Sequence, residues 1–213
     1  MSYNRGGNSF QRTTPAVLNL IIINTIVFFA QMMFGGLSDE SKITDLFALH
    51  YYRADEFRPY QLITHMFMHG SIMHLLFNMF ALWTVGTIVE RVWGPKKFLV
   101  FYFVCGIGAA LVQLASYAYS FRGLDPMALS SGGYYYYQLF RAQATLGASG
   151  AIMGVVAAFG YLFPNTEMMV IPIPITIKAK WTVLGYSAVD LFSGMAGRPG
   201  ENGGHVGPYG GRR

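Results

Sequence analysis

The stretch that decides the fold runs from His65 to Glu90 and reads HMFMHGSIMHLLFNMFALWTVGTIVE. It overlaps a run, from Pro59 to Val89, that contains no Asp, Glu, Lys or Arg. About 20 helical residues cross the hydrocarbon core of a bilayer, so this run predicts a membrane-spanning helix. Polar side chains are costly at that depth, and His74, Asn78 and Glu90 therefore need a structural or chemical reason to be there.

Similar uncharged runs occupy residues 13–38, 98–121 and 142–166, and a weaker apolar run follows residue 180. The predicted fold class is therefore an all-α polytopic membrane protein with five apparent transmembrane helices. We expect these helices near Val17–Phe34, Ser71–Glu90, Lys97–Tyr119, Leu146–Phe163 and Trp181–Met195.

The sequence also predicts how the chain is organised around these helices. Residues 1–14 are expected to form a flexible cytoplasmic amino terminus, residues 15–197 the membrane domain, and residues 198–213 a glycine-rich tail. With the amino terminus inside, seven Lys and Arg residues lie on the cytoplasmic side and five on the other side, up to Gly197. Positive charge is enriched in cytoplasmic loops, so this count favours that orientation.

The composition excludes several other classes of protein. Of 213 residues, 53% are hydrophobic and only 25 are charged, about half the share of an ordinary soluble domain. The net charge of +5 is scattered, with no more than two basic residues in a row, whereas a nucleic-acid footprint is clustered. Because Cys105 is the single cysteine, the chain cannot form an internal disulfide.

Two groups of residues could carry chemistry, and each also has a structural interpretation. His74 and Asn78 are four apart, so on a helix they share one face and could either bind a neighbouring helix or donate to an oxyanion. Ser149 lies in Gly147-Ala148-Ser149-Gly150, and Gly154 follows. Such small residues are typical of close helix packing, but a serine there could also act as a nucleophile if a base and oxyanion donors were nearby.

Four motifs follow one another in the order of a known family. The first two motifs are Arg58-Pro59-Tyr60-Gln61 and the histidine-rich run from His65 to Asn78 that follows it. The third consists of Gly86, Glu90 and Gly94, and the fourth is Gly-x-Ser-Gly at residues 147–150. Together they resemble the rhomboid intramembrane serine proteases over about Pro15 to Asn202, although Trp is more usual in the family where this chain has Tyr60.

The resemblance implies a bundle of six helices in which a Ser-His dyad cleaves transmembrane protein substrates without a cofactor. Ser149 would be the nucleophile, while His74, Asn78 and the Ser149 backbone N–H would hold the oxyanion. Glu90 would organise the loop after the first span. The resemblance also implies structural roles for Gly86, Gly94, Gly147 and Gly150. The expected partners are transmembrane substrates and the lipid bilayer, with no nucleic acid, in a multi-pass protein of a bacterial cytoplasmic membrane.

Alternatives remain open for the other polar residues. Glu90 could instead pair with Arg91 or Lys96 at the membrane interface. His65 and His69 are four apart and could in principle bind a metal, but no third ligand stands at a suitable spacing and we predict no metal site.

The end of the chain departs from the family pattern. A sixth helix should carry the catalytic histidine, but residues 198–213 include six glycines and cannot span a bilayer. His205 is the only histidine after Ser149 and is therefore the candidate general base. In the alternative interpretation, its imidazole is merely exposed in the tail and has no catalytic role. A gapless alignment places Pro208 at the expected histidine position, which a one-nucleotide frame slip after Asn202 would explain.

The predicted function is that of a rhomboid-type serine endopeptidase, whose activity the loss of a sixth helix would impair. The alternative is a catalytically inactive rhomboid-like protein that binds membrane helices. A small-solute transporter or channel subunit is a third hypothesis, but it would favour paired broken helices in two related halves, and the sequence shows no such symmetry.

Overall fold

The computed structural model describes residues 14–35, 42–120, 144–170 and 175–185. The helices of the first compact unit, residues 1–164, are α1 (Pro15–Phe34), α2 (Lys42–Phe47), α3 (Gln61–Thr64), α4 (Ile72–Ala81), α5 (Thr87–Trp93), α6 (Pro95–Ser120) and α7 (Ser149–Leu162). A 3₁₀ turn, His65–Phe67, follows α3. A π-helical turn, Leu82–Gly86, joins α4 and α5 into one continuous helix.

Three helical segments are long and apolar enough to cross a bilayer, namely Pro15–Phe34, Ile72–Trp93 and Pro95–Tyr119. They correspond to the first three predicted spans, and the all-α fold class is confirmed. The helix α7 has 14 residues and rises about 21 Å, less than a full span. Most of the fifth predicted span lies outside the described residues, so the number of five spans stays a prediction.

The start of α1 is held by a buried carboxylate from α5. Pro15 occupies the first turn, where its missing N–H is not needed. The Glu90 side chain is 2% exposed, and its two oxygens accept hydrogen bonds from the backbone N–H groups of Ala16 at 3.0 Å and Val17 at 2.8 Å. An anion at a helix amino terminus also interacts favourably with the helix dipole, so Glu90 caps and positions the first turn of α1.

The role expected for Glu90 is therefore corrected. The resemblance assigned it to the loop after the first span, and the alternative paired it with Arg91 or Lys96, whereas both of its oxygens bind the beginning of α1. Four residues later, the Gly94 N–H donates to the Glu90 carbonyl at 2.7 Å. With φ +80°, Gly94 adopts the left-handed conformation that ends α5 and lets α6 begin.

Gln61, rather than Glu90, organises the segment between α2 and α3. Its side chain is fully buried, and it makes hydrogen bonds with backbone groups along the loop. The amide Nε2 donates to the carbonyls of Asp45 at 3.3 Å, Leu46 at 3.2 Å and Glu56 at 2.9 Å, and Oε1 accepts from the N–H groups of His50 at 3.4 Å and Arg58 at 3.1 Å. Buried backbone groups need such partners, so this one side chain substitutes for regular secondary structure.

The helices α6 and α7 approach each other closely at small residues. A Cβ built on Gly150 would lie 2.5 Å from the Ala109 Cβ, and one built on Gly154 would meet the side chain of Cys105. Gly86 is enclosed in the same way by side chains of α1 and α6. Small residues allow the backbones of membrane helices to come together, and this contact fixes the helix that begins at Ser149.

The second unit, residues 165–213, contains a β-hairpin in its described part. The strands β1 (Glu167–Val170) and β2 (Ile175–Lys178) are antiparallel, with Glu167 opposite Lys178. Beyond them, the Ala179 N–H donates to the Thr166 carbonyl at 2.8 Å, and residues 179–185 are helical. This hairpin is a small addition to the helices that make up most of the described residues.

Replacing Glu90 by Leu should lower the free energy of unfolding by about 3 kcal/mol, because two buried N–H groups of α1 lose a charged acceptor. Glu90→Gln, which keeps one acceptor oxygen, should lose roughly half as much. Thermal unfolding in detergent micelles, followed by circular dichroism, measures both effects. Glu167→Leu, at an exposed position of β1, is the control. An unchanged midpoint for Glu90→Leu would contradict the capping role.

Candidate active site

The helix α4 presents His74 and Asn78 on one face. Ser71 caps this helix, and its hydroxyl accepts a hydrogen bond from the His74 backbone N–H at 3.1 Å. The cap therefore fixes the first turn, in which His74 lies. His74 is partly buried, and Asn78, one turn further on, is 7% exposed. The four-residue spacing on a helix directs both side chains to the same side.

The segment that leads to α7 is anchored on two sides through Thr145. Its N–H donates to the Leu49 carbonyl at 2.9 Å, and the Leu49 N–H donates to the Thr145 carbonyl at 2.8 Å. The Thr145 hydroxyl also lies 2.6 Å from the Tyr117 hydroxyl of α6. The loop that Gln61 organises and the helix α6 together fix the approach to Ser149.

The backbone at Gly147 lies directly against the ring of His74. Its φ of +126° is a conformation that favours glycine, and its N–H donates to the His65 carbonyl at 2.9 Å. A Cβ built on Gly147 would lie 2.7 Å from Cε1 and 2.9 Å from Nε2 of His74. Only glycine at this position leaves room for the imidazole.

Ser149 is the first residue of α7, and its side chain is exposed. Its Oγ lies 3.7 Å from the same Cβ position on Gly147, so the hydroxyl and the His74 imidazole flank one small volume beside the backbone. The N–H groups in the first turn of a helix have no partner within the helix and favour an anion. An oxyanion that formed at Ser149 would therefore meet hydrogen-bond donors.

The side-chain amide of Asn78 is an unpaired donor on this same helix face. Its Nδ2 is buried and has no hydrogen-bond partner among the described residues. A buried donor without a partner costs about 1 to 3 kcal/mol, so its presence calls for an explanation, and a transient acceptor in the site would provide one. Other buried side-chain atoms in the described ranges without a partner belong to Asn24, His50, His69 and Tyr102.

The two histidines upstream of α4 lie beside the site. The ring of His69 packs edge-on against that of His74, with the centroids 5.1 Å apart, and Nδ1 of His65 lies 2.8 Å from the Gln61 carbonyl. Burial lowers the pKa of His65, and burial together with the neighbouring His74 lowers the pKa of His69 to about 4. Both rings are therefore neutral at pH 7. In the part of the chain that the structure describes, no group of three His, Cys, Asp or Glu side chains could hold a metal.

Gln31 is a positioning residue that the sequence analysis missed. It lies near the end of α1 and is 2% exposed. Its Oε1 accepts a hydrogen bond from the His69 N–H at 3.0 Å, and its Nε2 donates to the His69 carbonyl at 3.4 Å. The available signal was an amide in an otherwise apolar span, the same signal that drew attention to Asn78.

The structure therefore brings three of the predicted site residues together, namely His74, Gly147 and Ser149, and Asn78 lies one turn further along α4 on the face of His74. Gly86, Glu90 and Gly150 lie in the contacts between helices that hold α1, α5, α6 and α7 in place, and Gly94 forms the turn between α5 and α6. His205, the candidate base, lies outside the described residues. The described groups can hold a negative charge beside a serine hydroxyl, which is the arrangement that acyl transfer requires.

Comparison with known proteins gives a consistent result. Residues 56–209 match the family model of the Rhomboid domain. The chain is 28% identical to Rhomboid protease GluP of Bacillus subtilis (strain 168) over 199 residues. This aligned region is 93% of this chain and 34% of that protein. Over 146 residues it is 34% identical to Rhomboid protease AarA of Providencia stuartii, covering 66% of this chain and 48% of the relative.

A third relative is Rhomboid protease GlpG of Salmonella choleraesuis (strain SC-B67), 29% identical over 124 residues, which are 58% of this chain and 44% of that protein. The chain thus spans 34% to 48% of the length of these three relatives. The family match extends over more than half of the chain and includes α4, the Glu90 motif and the Ser149 segment. The chain therefore belongs to the rhomboid family of intramembrane proteases.

Proposed function

We propose that this chain is a serine endopeptidase that cleaves a peptide bond in transmembrane protein substrates, with Ser149 as the nucleophile. The observation that carries the proposal is that the Ser149 hydroxyl and the His74 imidazole both lie close to the same Cβ position of Gly147. The unpaired Asn78 amide, one turn along α4, supports it. The names of the relatives, which are rhomboid proteases, support the same class of reaction.

In the proposed reaction, Ser149 Oγ bonds to the scissile carbonyl carbon while its proton passes to a general base. The carbonyl electrons move onto oxygen, and this oxyanion accepts hydrogen bonds from the Ser149 N–H, the His74 ring and the Asn78 amide. When the intermediate collapses, the C–N bond breaks and the base returns the proton to the leaving amine. Water then attacks the acyl-enzyme in the same way and releases the second product.

We assign the general base to His205. The support is its position in the sequence, since it is the only histidine that follows Ser149. In the alternative, a rhomboid-like protein without catalytic activity binds membrane helices and leaves Ser149 unreactive. A fluorophosphonate probe separates the two proposals, because it labels only a serine whose hydroxyl is activated.

Ser149→Ala should abolish both fluorophosphonate labelling and cleavage of a transmembrane reporter, because no other group can form the acyl-enzyme. Labelling is measured by mass spectrometry on the full chain in detergent micelles. Thr84→Ala is the control, since it also removes a hydroxyl, one that bonds within its own helix to the Phe80 carbonyl at 2.8 Å. That variant should be labelled like the wild type. An unlabelled wild-type chain that still binds a transmembrane helix would favour the inactive alternative.

Asn78→Ala should lower kcat by roughly 10²-fold while KM changes little, because an oxyanion donor acts mainly in the transition state. Steady-state cleavage of a transmembrane reporter gives both constants. The matched control is Asn24→Ala, a buried amide of α1 whose Nδ2 donates to the Leu20 carbonyl at 2.7 Å. If the two variants had the same kcat, Asn78 would have only a packing role.

A further inference from the structure

A second feature of the first unit, separate from the Ser149 site, is a cavity of about 330 Å³ between α1, α2 and the turn before α4. It is lined by Ile23, Val27, Ala30, Gln31, Ile43, Phe47, Thr64, Phe67 and Met68. Seven of these nine side chains are apolar. The proposed peptidase mechanism uses none of them.

The two polar side chains in the wall are already satisfied within the protein. The amide of Gln31 bonds in both directions to the backbone of His69, and the Thr64 hydroxyl donates to the Phe47 carbonyl at 2.8 Å. A buried water needs two to four polar partners, and this wall offers few beyond those already paired. The cavity is therefore suited to hydrocarbon rather than to water.

The cavity is continuous with the surface that faces lipid. Its wall includes Ile23, whose side chain is 45% exposed on the membrane-spanning helix α1. Neighbouring residues of the same helix are also exposed and apolar, among them Ile22, Ile26 and Phe29. For a helix that crosses a bilayer, the medium at such a face is the acyl region of the lipids. An acyl chain can therefore reach the cavity without leaving hydrocarbon.

We propose that this cavity binds one acyl chain of a bilayer phospholipid. The lining residues of α1 extend from Ile23 to Gln31 at helical spacing, and the eight steps between these two positions rise about 12 Å along the helix. Acyl chains run roughly parallel to membrane helices, so one chain can lie along this wall. The opposite wall is formed by Ile43 and Phe47 of α2, a helix of only six residues. The bound chain fills the space between α1 and α2 and holds α2 in place.

The test uses the full chain in phosphatidylcholine vesicles in which a fraction of the lipid carries a photoactivatable diazirine in one acyl chain. After irradiation, the cross-linked residues are mapped by mass spectrometry. We expect adducts on Phe67 and Met68, which line the cavity, and Met68 is otherwise buried. Adducts on exposed α1 residues such as Ile26, with none on Met68 or Phe67, would show that the cavity holds no acyl chain.

Variants that fill the cavity provide the second part of the test. Ala30→Phe adds a ring within the cavity and should lower the yield of Met68 adducts several-fold. Val27→Phe does the same from another position, in case the first variant folds poorly, and circular dichroism reports the helix content of each. The control is Ile26→Phe, at a position 62% exposed, which should leave the Met68 yield unchanged. Equal Met68 yields in both filled variants and the wild type would overturn the proposal. None of these readouts depends on peptidase activity.

Discussion

The constraint that governs this structure is the cost of leaving a buried polar group without a partner in a membrane protein. Hydrocarbon gives helices no hydrophobic reason to associate with one another, so hydrogen bonds and close packing decide which helices are neighbours. The carboxylate of Glu90 bonds to the start of α1, and the amide of Gln31 bonds to the backbone before α4. Each of these bonds joins elements that are distant in the sequence. The Gln61 amide likewise binds backbone carbonyls of α2 and of the loop that follows it.

The candidate site is an exception to this rule, and the exception is informative. Asn78 Nδ2 is buried without an acceptor, a cost that an apolar residue at this position would avoid. If Ser149 is the nucleophile, the missing acceptor is the oxygen that becomes charged during the reaction. A donor that is already oriented needs no reorganisation when that charge develops, so its unpaired ground state lowers the barrier. The glycine at position 147 serves the same end, because it lets the imidazole of His74 approach the backbone.

The sequence predicted the fold class and the first three spans because length and apolarity alone decide whether a helix can cross a bilayer. It also predicted that His74 and Asn78 share a face, which depends only on local spacing. The partners of Glu90 could not be predicted, because its two hydrogen bonds span 73 and 74 positions of the sequence and depend on how the helices pack. Gln61 belongs to the motif Arg58-Pro59-Tyr60-Gln61, but the sequence predicted no role for it. The residues next to Gln61 in the sequence do not show that its amide binds the backbone of a folded loop. The later start of α7, at Ser149 rather than near Leu146, follows from the positive φ of Gly147, which a right-handed helix does not contain.

The two polar contacts of α1 have a joint consequence for the site. Glu90 holds residues 16 and 17 at one end of the helix, and His69 binds Gln31 near the other end. Both partners of α1 come from the stretch between His65 and Glu90, and His74 and Asn78 lie between them in that stretch. A helix that is bonded at both ends cannot rotate or slide without breaking a buried hydrogen bond. The position of α4 relative to α1 is therefore fixed by polar contacts on either side of His74 and Asn78, in addition to the apolar packing between the helices.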